Sequence, residues 1–80
     1  MNEDRKKYVP ISCERHSEYE LAILRGQHLT LRWQDEKGNS RHEKVLPIDI
    51  RTREHAEYLA VKTVNENTIE IRLDNIIETG

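Results

Sequence analysis

Apolar and polar residues alternate along most of this chain, but not along its first third. Leu29, Leu31 and Trp33 are separated by Thr30 and Arg32. A period of two is that of a half-buried strand. Leu46, Ile48 and Ile50 repeat the pattern within a second strand region from Val45 to Ile50, where Pro47 withholds a donor and predicts an edge or a bend. Leu59 and Val61 share one face of a third strand, from Tyr58 to Val64. Ile69, Ile71 and Leu73 share one face of a fourth. After a break at Asp74-Asn75, Ile76-Ile77 forms a short closing strand. Asp35-Glu36-Lys37-Gly38-Asn39 and Asn65-Glu66-Asn67 carry turn chemistry. Arg51-Thr52-Arg53-Glu54-His55 reads as a charged, solvated connection.

Upstream of Gly26 the signals are those of a helix. Ser17-Glu18-Tyr19-Glu20 fits a capping box, a hydroxyl followed three places later by Glu. Glu18 and Glu20 complement the positive end of the helix dipole, and Arg25 the negative end. Gly26 suits the left-handed closing position. The expected helix covers residues 18–25. An earlier start with Ser12 as cap is the alternative, and it places Glu14, Glu18, Leu21 and Arg25 on one side. Before it, Tyr8-Val9-Pro10-Ile11 is extended and suited to lie across the edge of a barrel. Residues 1–7 are polar, predicted to fray, and lack an apolar signal core.

One helix and about five short strands make a mainly β, α+β chain. Strands this short cannot each bury a face alone, and a small Sm-like barrel solves that problem. The 80 residues suit one domain with a thin core. Charge is nearly balanced, with 13 Lys+Arg against 15 Asp+Glu and a net of −2. That is not the basic footprint of unaided nucleic-acid binding. A single cysteine excludes an internal disulfide and suits a reducing cytoplasm. No apolar run is long enough for a membrane-spanning helix.

Candidate chemistry is sparse. Cys13 and His16 stand three apart, but no second Cys exists and the other histidines are scattered. A structural zinc site needs four ligands, so Cys13 reads as a small buried hydrophobe under the helix. Nothing supplies the third group or the oxyanion site that a Cys–His catalyst needs, so no enzyme and no cofactor are expected. Trp33 is in phase with Leu29 and Leu31 and reads as core rather than as a base-stacking platform. Tyr58 is out of phase with Leu59 and Val61, and both a position under the helix and a surface patch remain open for it.

Two blocks resemble the Rho-binding antiterminator family (the YaeO/Rof type) of bacterial transcription regulators. One is Tyr8-Val9-Pro10-Ile11-Ser12-Cys13, the polar run from Glu14 to Glu18, and Tyr19-Glu20-Leu21-Ala22. The other is Glu57-Tyr58-Leu59-Ala60-Val61 with Ile71-Arg72-Leu73-Asp74-Asn75-Ile76. The resemblance implies an N-terminal helix on an Sm-like barrel. It also implies a cytoplasmic, non-catalytic monomer that binds the RNA-binding N-terminal domain of the termination factor Rho and blocks RNA uptake. The surface it implies is Glu14, Arg15, His16, Ser17, Glu18 and Glu20, with Arg15, His16 and Ser17 standing where the family run is often acidic or aromatic. Glu20 has a structural reading as well, closing the capping box, and Glu14 and Glu18 have one as helix-end charges. The rival expectation is an RNA-binding Sm-like module of the Hfq type, acting as a ring.

Overall fold

In the computed structural model, which describes residues 8–80, a helix α1 (Cys13–Arg25) precedes five strands. These are β1 (Leu29–Gln34), β2 (Ser40–Arg53), β3 (Ala56–Lys62), β4 (Thr68–Arg72) and β5 (Ile76–Thr79), with a 3-10 turn η1 (Leu73–Asn75) between the last two. The class is mainly β, α+β, as the periodicity predicts. The expectations for residues 1–7 lie outside the described residues.

The helix starts at the earlier of the two caps. Ser12 is extended, and its hydroxyl accepts from the Arg15 N–H at 3.2 Å. The capping box at Ser17 does not form, because Ser17 lies inside the helix and Glu20 reaches His16 instead. Gly26 closes the helix at φ 62°, and Gln27 N–H returns to Ala22 O. At 100° per residue, the start at Cys13 turns Arg15, Tyr19, Ala22 and Ile23 inward. Tyr19 and Ala22 are buried. Cys13, expected under the helix, is exposed.

All pairings are antiparallel, in the order β4-β3-β2-β1-β5. β2 is therefore central, not an edge, and it is much longer than its apolar stretch. Its first half pairs with β1, up to Val45 opposite Leu29. Its second half pairs with β3, from Leu46 opposite Lys62. Arg51-Thr52-Arg53 is the end of this strand rather than a connection.

The predicted inward set Leu46, Ile48, Ile50 is corrected by a bulge. Pro47 faces Val61 and Asp49 faces Ala60, so Ile48 is unpaired. One extra residue flips the phase of everything after it. Val45 and Pro47 point inward before the bulge, and Ile50 opposite Leu59 after it, while Ile48 is exposed.

The curled sheet wraps a core of Leu31, Trp33, Val45, Leu59, Val61, Ile71, Leu73 and Ile76, completed by Tyr19 from α1. Trp33 is thus core, as its phase predicts. The sheet does not close into the expected barrel. β4 and β5 are its two outer strands, joined through η1 without pairing to each other. The segment before α1 lies over this junction. Val9 N–H donates to Asp74 at 2.9 Å, the Arg72 guanidinium lies 5.4 Å from the Tyr8 ring centre, and Ile11 packs on the core.

Two turns share one geometry. In residues 35–39 and 63–67 the first residue's N–H donates to the fifth carbonyl, and the fourth N–H returns to the first carbonyl. Asp35 and Thr63 side chains accept the fifth N–H. The fourth residue must be left-handed: Gly38 at φ 84°, but Glu66 at φ 65°. A side chain there costs on the order of 1 kcal/mol. Glu66→Gly should therefore stabilise the protein by about 1 kcal/mol and Gly38→Ala destabilise it by about as much. A Cβ at Gly38 would meet nothing within 4 Å, so the cost is one of backbone alone. Chemical denaturation checks both, and a destabilised Glu66→Gly protein would contradict the shared geometry.

Candidate functional site

The six residues singled out by sequence, Glu14, Arg15, His16, Ser17, Glu18 and Glu20, all lie on α1, but the helix divides them. Arg15 turns inward. Its guanidinium donates to the Ile76 carbonyl at 3.2 Å and to the Tyr19 hydroxyl at 3.3 Å. Tyr19 in turn shares a hydrogen bond with Thr79 at 2.9 Å. These contacts hold the helix to β5. His16 faces β3, with Nε2 3.4 Å from Glu57 and Nδ1 3.5 Å from Glu20. The helix thus bridges an outer strand and an inner one. Burial, together with the Glu57 and Asp74 carboxylates, raises the pKa of the neighbouring Tyr8 hydroxyl, which stays neutral beside Glu57.

Glu14, Ser17 and Glu18 point away from the sheet and are exposed. The same arc continues to Leu21, Leu24 and Arg25. Leu21 is 45% and Leu24 81% exposed. The outer stripe of α1 is therefore acidic at its start, apolar further on and basic at its end. Sequence reading placed Glu14, Glu18, Leu21 and Arg25 on one side but did not single out Leu24. Its signal was available, since Leu24 stands three places after Leu21 and seven after Ser17.

Glu14 and Glu18 differ from most of the surface. Elsewhere Arg32 meets Glu78, Arg41 meets Glu43, Arg51 meets Asp49, and Arg51 and Arg53 share Glu70. Glu14 and Glu18 have no ion-pair partner among the described residues, and they sit one turn apart. Like charges at this spacing cost the helix a few tenths of a kcal/mol. Glu14 recovers some of this from the helix dipole, which fades beyond the first turn and so does little for Glu18.

A second feature is a cleft of about 590 Å³ between the β1–β2 turn and the β2–β3 hairpin. Tyr58, left open by sequence, lines it with the Arg53 guanidinium 4.3 Å from its ring centre. Arg53 also bonds Glu70, and Arg72, further along the wall, lies 2.9 Å from Asp74.

The fold has a counterpart of known structure. Proteasome accessory factor B/C (PafBC) of Arthrobacter aurescens superposes with a TM-score of 0.73 over 89% of this chain, at 17% identity. This chain spans only 12% of that one, so the likeness is to a part of it and shows the fold alone. No protein-family model and no curated protein matches the chain. No helix is long and apolar enough to cross a membrane among the described residues. Nor do those residues contain a group of three or more His, Cys, Asp or Glu arranged to hold a metal ion.

The Glu70 cluster gives a pH prediction. Its hydrogen bonds to Arg53 and Arg51 hold the carboxyl below its ordinary 4.5. A carboxyl with a lowered folded-state pKa adds stability above the unfolded value and loses it as pH falls through the folded one. Melting temperature should fall on acidification past 4.5, and less steeply in Glu70→Gln. Parallel curves for the two proteins would remove Glu70 from the acid response.

Proposed function

We propose that this protein is a non-catalytic, cytoplasmic regulator that docks the outer face of α1 into the RNA-binding groove of Rho and lowers Rho-dependent termination. The reading combines the family resemblance with one observation, that Glu14 and Glu18 stand on an exposed face with no ion-pair partner among the described residues. A groove that takes up RNA is cationic, and two exposed carboxylates one turn apart complement it. Such charge speeds encounter and makes binding weaken with salt. Arg15 does not interrupt the face, because its guanidinium is committed to Ile76 and Tyr19. His16 and Glu20 flank the contact and set the position of the helix rather than its charge. The protein acts as a monomer and needs no cofactor.

Calorimetric titration into purified Rho tests this. Binding is expected, and it should weaken when Rho is preloaded with RNA. No binding at low salt would overturn the proposal.

The cleft supports one second reading, an Sm-like RNA-binding module, since Arg53 over Tyr58 is a surface on which a base can stack. Its cations are already matched by Glu70 and Asp74, which leaves little charge for phosphate. Titration with short single-stranded RNA in the absence of Rho separates the two readings.

A further inference from the structure

The outer face of α1 carries more than charge. Leu24 is 81% exposed and Leu21 45%, on the same stripe as Glu14 and Glu18. Neither leucine belongs to the core or to the partly buried residues packed against it. We infer that Leu21 and Leu24 form an apolar anchor beside the acidic pair. The partner surface that fits is then a cationic groove with an apolar wall roughly 10 Å from its cations, from the 1.5 Å rise per helical residue.

This deepens the proposed Rho contact and rests on it. The two halves of the stripe have different physical signatures. The carboxylates contribute a term that salt screens. The leucines contribute one that salt does not screen, and burying them lowers the heat capacity on binding. Interfaces keep apolar groups at a core sheltered from water, with charges at the rim governing encounter. Leu24, near the end of the helix and the more exposed of the two, is the stronger candidate for the sheltered position.

The experiment is calorimetry of the full chain with Rho at two temperatures and two salt concentrations. It compares wild type, Leu21→Ala/Leu24→Ala and Leu24→Met. Alanine favours helix and removes only exposed side chains, so the variant should keep its fold, which circular dichroism verifies. The double alanine variant should lose at least about tenfold in affinity, with an unchanged salt dependence and a less negative heat-capacity change. Leu24→Met should bind nearly as well as wild type. Wild-type binding with an unaltered double alanine variant would overturn the anchor while leaving the Rho contact standing. Failure of wild type to bind would overturn both.

Discussion

Replacing Tyr19 with alanine should cost about 3–5 kcal/mol and lower the melting temperature by roughly 15 °C or more, the largest effect of any single change considered. Tyr19 is fully buried and is the one large side chain that α1 inserts into the core. Its hydroxyl also joins Thr79 and Arg15, so the ring and its polar tip tie the helix to β5 together. Alanine leaves a cavity, takes away the Thr79 hydroxyl's partner and leaves Arg15 with the Ile76 carbonyl alone. A helix of 13 residues is marginal on its own, so losing this tie should release it from the sheet. Tyr19→Phe keeps the ring and should cost only about 1–2 kcal/mol, the unmet hydrogen bonds. Thermal melts of the two variants check this. A loss under about 5 °C for the alanine variant would mean that the helix is held elsewhere.

The second large effect concerns the surface. If α1 docks on Rho as proposed, Glu14→Lys/Glu18→Lys should weaken that binding about fiftyfold or more, because two attractions with a cationic groove become two repulsions. The fold should survive, since neither carboxylate bonds any described residue. Lysines in the first turns oppose the helix dipole, which makes a loss of a few tenths of a kcal/mol in stability the expected cost. Affinity and stability should therefore separate cleanly in this variant. In Tyr19→Ala they should fall together, because a released helix presents no ordered face.

Much of the fold is legible in the residues. β1 and β4 alternate with period two, with Leu31 and Trp33, and Ile71, turned inward; in β3 the predicted pair Leu59 and Val61 is buried, and Ala60 between them is buried as well. The turns at Asp35 and Asn65, the break at Asp74 and the left-handed Gly26 follow from local chemistry. What escaped depends on distant partners. Ser12 and Ser17 are both acceptable caps, and the choice is made by Arg15 and Tyr19 reaching Ile76 and Thr79 some 60 residues away. Residues 40–44 are wholly polar and show no strand period, yet they pair in full with β1 because the partner backbone supplies their hydrogen bonds. The bulge at Ile48 reverses the phase of β2 and has only Pro47 as a sequence mark. At the candidate site, sequence brought together six residues of which three share the outer face. Separating Arg15 and His16 from them required the helix start and the positions of β5 and β3.

Glu54 and His55 are left-handed at φ 52° and 67°, where a two-residue hairpin favours Asn-Gly. They form the tip of the β2–β3 hairpin, and Glu54 lines the cleft.

The proposal that the acidic outer face of α1 docks on a cationic surface of Rho makes a direct electrostatic prediction. The most direct test is the salt dependence of Rho affinity for wild type and for Glu14→Lys/Glu18→Lys, measured side by side on proteins shown to be equally folded. The wild-type affinity is expected to fall steadily with salt, and the variant to be weak already at low salt. Equal affinities with equal salt dependence would contradict the proposal.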